Sequence, residues 1–158
     1  MRKPFIEQLT EFAEHDPRII LIIGDVGFSF IEPFKKRFPN QFLNAGASEQ
    51  NMMGVATGMA FSGWKPYVYT MINFIIMRPY EQVRNDICYQ NANVKLFGVK
   101  GSVAYKFLGF SHNIEGDEDI QLLGHLPNIK TYIPKTEEEV KEIMIKEYAR
   151  EGPAYMRI

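Results

Sequence analysis

The sequence is poor in the features that mark several classes of protein. Its 158 residues include a single cysteine, Cys88, which excludes an internal disulfide and a CxxC metal site. Its longest unbroken apolar run, Ile19 to Ile23, is far too short to cross a bilayer. Eighteen basic residues against 19 acidic ones disfavour binding to nucleic acid or to an anionic membrane. Charged residues begin at Arg2, too early for a secretory signal peptide, so we expect a cytoplasmic protein.

Common catalytic and binding motifs are missing as well. The sequence contains neither GxGxxG nor GxxxxGK[ST], so a glycine-rich phosphate loop is unsupported. It contains no HExxH, and its three histidines, His15, His112 and His125, lack the spacing of a metal site. A GxSxG nucleophile elbow is also missing. We therefore predict no metal ligands in this chain.

The patterns that are present predict an α/β protein. Hydrophobic residues make up 46% of the chain, enough for the core of a single domain over residues 1–158. The run from Ile19 to Ile23 is typical of a strand that is covered on both faces. The predicted strands are 19–23, 41–44, 67–71, 94–99, 129–133 and 154–158, and they alternate with predicted helices at 5–13, 31–38, 48–61, 73–90, 117–126 and 136–148. This alternation predicts a three-layer α/β/α sandwich with a mostly parallel sheet of about six strands.

Four segments are expected to meet at one edge of this sheet. In parallel sheets, ligands bind beyond the carboxyl ends of the strands. The segments that follow four of the predicted strands are 25–27, 46–50, 71–77 and 100–112. The last belongs to a predicted loop over 100–116, and loops of that length in a small domain are usually functional.

The most informative stretch is the predicted helix that begins after Ser48. Glu49 stands in its first turn, where the helix dipole alone would favour an acidic residue. Gly54 and Gly58 are four residues apart, a spacing that predicts a close-packed helix surface against another element.

Several segments resemble one known family. They are Gly46–Ala60, Ser62–Thr70, Asn73–Phe74, Tyr80–Asp86 and Leu126–Ile129. Together they resemble the pyrimidine-binding domain of transketolase-like thiamine-diphosphate enzymes, and the likeness extends from Arg2 to Arg157. The chain looks like the C-terminal subunit of a split transketolase.

The resemblance implies roles for four residues in cofactor binding, and Asp25 is a fifth candidate because it follows the carboxyl end of a predicted strand. It implies that Glu49 binds N1′ of the cofactor's aminopyrimidine ring and so activates thiamine diphosphate, a task that requires a carboxyl group held away from water. Phe74 would stack on that ring, and Met71 and Met77 would line it. Asp25 would contact cofactor or substrate. The alternatives are that Phe74 is an ordinary core residue and that Asp25 caps its loop.

The resemblance implies four substrate-binding residues, although this part of the sequence departs from the family's pattern. His112 retains the final histidine of a loop that contacts the sugar, and Lys100 stands where many transketolases have a histidine. Arg157 and Arg2 fall where the family holds a sugar phosphate. For His112 the alternative is a plain loop histidine, and for Arg157 and Arg2 it is a solvated surface arginine. These departures favour a modified or unusual sugar.

The resemblance also implies a partner. The family holds Mg²⁺ and the diphosphate with a Gly-Asp-Gly run and a later Asn, and this sequence has no such run. The metal ligands are therefore expected on a separate diphosphate-binding subunit, in a heterotetramer of two pairs. The leading hypothesis is the pyrimidine-binding subunit of a two-component transketolase-like enzyme that transfers a two-carbon ketol unit between sugars. The alternatives are a non-catalytic regulatory or interaction subunit and a free-standing ligand-binding module.

Overall fold

Six parallel strands form one sheet in the order β2-β1-β3-β4-β6-β5. The computed structural model describes residues 1–101 and 103–158, and the side chains of all of these except residues 103 and 104. The strands are β1 (Ile19–Ile23), β2 (Phe42–Asn44), β3 (Lys65–Met71), β4 (Lys95–Val99), β5 (Lys130–Tyr132) and β6 (Ala154–Arg157). The register from Ile19↔Lys65 to Ile23↔Tyr69 places β1 beside β3 along its whole length.

Helices cover both faces of the sheet, as the alternating pattern predicts. They are α1 (Arg2–His15), α2 (Glu32–Arg37), α3 (Glu49–Phe61), α4 (Tyr80–Gln82), α5 (Glu118–Leu123) and α6 (Glu137–Ala149). Along β1, Ile20 and Ile22 pack in one apolar cluster with residues of α3, while Leu21 and Ile23 pack in a second cluster with residues of α1 and α6. The predicted three-layer sandwich is therefore confirmed. Among the residues described, no helix combines the length and the apolar character needed to span a membrane.

Two segments differ from the predicted elements. The predicted helix over 73–90 is divided into a π-helix at Asn73–Met77, the short α4, and a second π-helix at Val83–Cys88. Pro79 separates the first π-helix from α4 because proline has no N–H to donate to a continuous helical ladder, whereas α4 runs directly into the second π-helix. The predicted loop contains a 3₁₀-helix at Val103–Ser111, which is kinked at Gly109, where φ is 57°. Residue 102 of that predicted loop lies outside the described residues.

Three buried charged residues, Asp16, Lys95 and Glu147, lie at the amino edge of the sheet. The Asp16 carboxylate accepts hydrogen bonds from Arg18, which hold its pKa well below the usual range. Lys95 forms a buried ion pair of 3.2 Å with Glu147, yet desolvation lowers the pKa of Lys95 to about 8. Asp16 and Arg18 precede β1, and Lys95 begins β4 and binds Glu147 of α6, so these groups lie at the edge opposite the one where ligands bind.

Candidate functional site

The carboxyl ends of β1 and β2 are joined by a pair of side chains. The backbone N–H of Asp25 donates to Asn44 Oδ1 at 3.1 Å, and Asn44 Nδ2 donates to Asp25 Oδ1 at 3.2 Å. Asp25 is exposed and adopts a φ of 55°, a left-handed conformation that Asp tolerates better than most residues. These two hydrogen bonds fix the loop after β1. Asp25 therefore stabilises its loop, and because it is exposed at the carboxyl edge of the sheet it is also accessible to a ligand.

Glu49 is the first residue of α3 and is only 5% exposed. It is buried because the following turns pack Met52, Met53 and Ala56 into the core, which draws the start of the helix against the sheet. Ser48 is the N-cap residue of α3, but its hydroxyl donates to the carbonyl of Ala45 at 2.6 Å instead of accepting from the helix.

Glu49 lies in an open groove of about 380 Å³, here called the Glu49 groove. Its lining residues are Ala47, Ser48, Glu49, Gln50, Asn51 and Arg78. Arg78 Nη1 lies 3.3 Å and 3.4 Å from the two carboxylate oxygens of Glu49. The carboxylate is thus removed from bulk water but not enclosed, and a ligand in the groove can reach it.

Two aromatic rings lie next to the Glu49 groove. Arg78, which lines the groove, contacts the ring of Phe74, and Phe74 contacts the ring of His112. The Arg78 guanidinium carbon is 4.0 Å from the centre of the Phe74 ring, and the His112 ring meets Phe74 edge-on with centres 4.9 Å apart. Phe74 is 8% exposed. Sequence reasoning missed Arg78, although its spacing of four residues from Phe74 places the two side chains on one helical face.

Hydrogen bonds from Asn73 connect the 3₁₀-helix and the residues after it to the end of β3. Asn73 Nδ2 donates to the carbonyls of Phe110 at 3.0 Å and Asn113 at 3.1 Å. Asn113 in turn donates to the carbonyls of Tyr105 and Gly109, which closes the segment on itself. This network positions His112 against Phe74. Sequence reasoning did not assign Asn73 this role, because its partners lie 37 and 40 residues away along the chain.

This site can hold a flat, polar heterocycle. The buried Glu49 carboxylate can accept a hydrogen bond or a proton from a ring nitrogen, and Phe74 offers an aromatic surface. Thr70 Oγ1 and Asn73 Oδ1 are buried at the end of β3 and have no hydrogen-bond partner among the described residues. The residues present therefore fit the aminopyrimidine ring that the resemblance to thiamine-diphosphate enzymes predicts.

Comparison with known families agrees with this geometry. Residues 1–158 match the family model described as transketolase, pyrimidine binding domain. The chain belongs to this family.

The pyrimidine-binding domain is similar to transketolases and to related enzymes. It is 33% identical to an apulose-4-phosphate transketolase subunit of Phocaeicola vulgatus, over 99% of this chain and 50% of that protein. It is 37% identical to a 1-deoxy-D-xylulose-5-phosphate synthase of Bacillus cereus, over 96% and 24% of the two chains. A solved structure described as a split gene transketolase, inactive β4 tetramer, is 34% identical with a TM-score of 0.86, over 99% and 50%. The chain spans about half the length of the Phocaeicola vulgatus relative.

The other predicted cofactor and substrate residues of the pyrimidine-binding domain lie at the same edge of the sheet, with different surroundings. Met71 is buried, and Met77 Sδ is 3.8 Å from Asn73 Nδ2. Lys100 is exposed and follows β4 directly. Arg2 is exposed and lies 5.5 Å from the centre of the Phe30 ring.

Arg157 is held by two carboxylates. It is 8% exposed, and its guanidinium donates to Asp117 at 2.9 Å and to Asp119 at 3.0 Å. Burial by itself would lower the pKa of Arg157, but the hydrogen bonds to Asp119 and Asp117 outweigh it and raise the pKa. The predicted role of Arg157 in substrate binding stays a prediction, and it would require the exposed Asp117 to release the guanidinium.

The face of α3 that carries Gly54 and Gly58, here called the glycine face, is exposed in the pyrimidine-binding domain. A Cβ atom built on Gly54 or Gly58 would meet nothing within 4 Å, so among the described residues no element packs against these glycines, and the predicted close packing against another element is not found within this chain. Within residues 1–101 and 103–158, no three His, Cys, Asp or Glu side chains lie close enough together to hold a metal ion.

Replacing Asn73 with alanine should loosen the 3₁₀-helix. The carbonyls of Phe110 and Asn113 would lose their donor, which should cost about 1–2 kcal/mol of stability. Amide hydrogen exchange over residues 105–113 should accelerate more than exchange in the sheet. The control is Gln41→Ala, because Gln41 Nε2 also donates to two carbonyls, those of Asp16 and Ile19, at the other edge. Equal exchange over 105–113 in both variants would contradict the role of Asn73.

Proposed function

We propose that this chain is the pyrimidine-binding subunit of a two-component, thiamine-diphosphate-dependent transketolase-like enzyme, which transfers a two-carbon ketol unit between sugars. The observation that carries the proposal is the burial of Glu49 in the groove beside Phe74. Membership of the pyrimidine-binding family supports it, as do relatives named as transketolase subunits.

The chain's own residues would bind and orient the aminopyrimidine ring. Glu49 would accept a hydrogen bond from the ring nitrogen N1′ and hold a proton there, an arrangement that burial favours because water does not compete. Phe74 would stack on the ring, Met71 and Met77 would line it, and Asp25 would contact cofactor or substrate. When bound, thiamine diphosphate supplies the electron sink that allows a bond next to a ketone to break and re-form.

A separate subunit would supply the remainder of the site. We assign the Mg²⁺ ligands and the diphosphate site to this partner, in a heterotetramer of two pairs. Exposed aromatic residues at the edge where ligands bind, Phe28, Phe107 and Phe110, provide apolar area for such an interface, and the open glycine face of α3 provides a second flat surface. The split gene transketolase described as an inactive β4 tetramer is consistent with a subunit that needs a partner.

The substrate we propose is a sugar that carries an anionic group. His112, positioned against Phe74, would contact its hydroxyl groups, and the exposed Lys100 and Arg2 would bind the anion. Arg157 would take part only if its carboxylate pairs opened. Two subunit relatives have names that contain apulose-4-phosphate and 6-deoxy-6-sulfo-D-fructose, both of which bear such a group. We place this reaction in cytoplasmic carbohydrate metabolism.

Reconstitution tests the proposed function. The chain should be co-purified from its native cells, the diphosphate-binding partner identified, and each protein assayed alone and mixed with thiamine diphosphate and Mg²⁺. Ketol transfer should require both proteins. If the partner catalyses ketol transfer without this chain, and adding this chain only changes the rate, the alternative of a regulatory subunit is correct and the proposal is wrong.

A further inference from the structure

Arg78 contacts both of the side chains to which the proposed function assigns the pyrimidine ring, Glu49 and Phe74. Its guanidinium lies 4.0 Å from the centre of the Phe74 ring and 3.3 Å from a Glu49 oxygen. A guanidinium is a flat, delocalised cation with N–H donors. The two contacts of Arg78, one to an aromatic surface and one to a carboxylate, are the same two contacts proposed for the cofactor's aminopyrimidine.

The contacts of Arg78 are weak and exposed, so another group could displace its side chain. The Glu49 side chain is 6% exposed, whereas the Arg78 side chain is 52% exposed. Its hydrogen bonds to Glu49, at 3.3 and 3.4 Å, exceed the 2.7–2.9 Å typical of charge-assisted bonds. A half-exposed ion pair of this kind contributes little free energy, and a long arginine side chain in solvent can rotate away without disturbing the core.

We propose that Arg78 is an internal placeholder, which neutralises Glu49 and covers Phe74 until the cofactor's pyrimidine displaces it. This inference rests on the proposed function. Glu49 is buried enough that Arg78 and a ring nitrogen compete for the same oxygens, and they compete for the same face of Phe74. Arg78 therefore weakens cofactor binding, and before the cofactor binds it gives the Glu49 carboxylate a partner of opposite charge.

The test is the dissociation constant for thiamine diphosphate, measured by titration calorimetry with Mg²⁺ on the complex of this chain and its partner. Arg78→Ala should tighten binding by about 3- to 30-fold, the range expected when an exposed ion pair and a cation–π contact no longer compete. Arg78→Lys should lie between wild type and Arg78→Ala, because it keeps the charge but loses the flat guanidinium.

The matched control is Arg84→Ala. Arg84 is an exposed arginine of the second π-helix, and its side chain contacts Asn85 and the Tyr89 ring, so its removal should leave the dissociation constant unchanged. In a chain that already carries Glu49→Gln, the gain from Arg78→Ala should shrink, because the competing ion pair is already absent. Thermal melting of each complex checks that the variants are folded.

The outcomes distinguish a wrong placeholder role from a wrong function. Weaker or unchanged binding by a folded Arg78→Ala complex would overturn the placeholder role and make Arg78 a cofactor ligand or a bystander. Failure of wild type and all variants to bind thiamine diphosphate would overturn the proposed function itself, and the placeholder with it.

Discussion

Replacing Glu49 with glutamine should lower the turnover of the reconstituted enzyme by about 10²- to 10⁴-fold, the usual contribution of a positioned proton-transfer group. Glutamine has nearly the same shape and can still contact Arg78 through its carbonyl oxygen. It has no carboxylate, however, and cannot hold a proton at a ring nitrogen. Because the exposed fraction of Glu49 is 5%, water cannot replace the lost group easily.

The measurement is the turnover number at saturating thiamine diphosphate and Mg²⁺. Under these conditions a lower turnover number reports a slower reaction and not weaker cofactor binding. Glu81→Gln is the matched control, because Glu81 is an exposed acidic residue of α4 and its loss should leave turnover unchanged. Full turnover by Glu49→Gln would show that this carboxylate does not act on the cofactor.

The sequence was sufficient to predict the sheet because each strand carries a local signal. The five β-branched or leucine residues of β1 can only be buried on both faces, and the observed strand has the predicted bounds of 19–23. Glu49 was predicted for a related reason. Its role is implied by the resemblance of the contiguous segment Gly46–Ala60 to the pyrimidine-binding family. The position of Glu49 in the first turn of a helix would by itself indicate only an acidic residue favoured by the helix dipole, and its role stays a prediction.

The parts that could not be predicted depend on contacts between distant residues. Arg78 reaches Glu49 across 29 positions, and Asn73 reaches Asn113 across 40. Neither contact leaves a periodic mark in the sequence. Gly54 and Gly58 show a second limit of sequence reasoning. Small residues at helical spacing predict close packing, but the pattern does not say whether the neighbour belongs to the same chain.

Removing either partner of the buried Asp119–Arg157 pair should produce the largest loss of stability that we predict. Asp119 is fully buried on α5, and it accepts hydrogen bonds from Tyr155 and Arg157 of β6. Arg157→Met leaves this carboxylate with a single donor, and Asp119→Leu leaves a buried guanidinium bound only to the exposed Asp117. Each variant should lose about 3–5 kcal/mol of unfolding free energy in urea, since an uncompensated charge remains buried.

A double variant distinguishes a buried pair from two independent residues. Asp119→Leu with Arg157→Met removes both charges at once, so its loss should be smaller than the sum of the two single losses. The control is Arg37→Met, which breaks the partly exposed pair with Glu14 and should cost less than about 1 kcal/mol. If Arg157→Met instead kept its stability and raised only the KM for an anionic sugar, the guanidinium would be serving the substrate, and its attachment to α5 would be incidental.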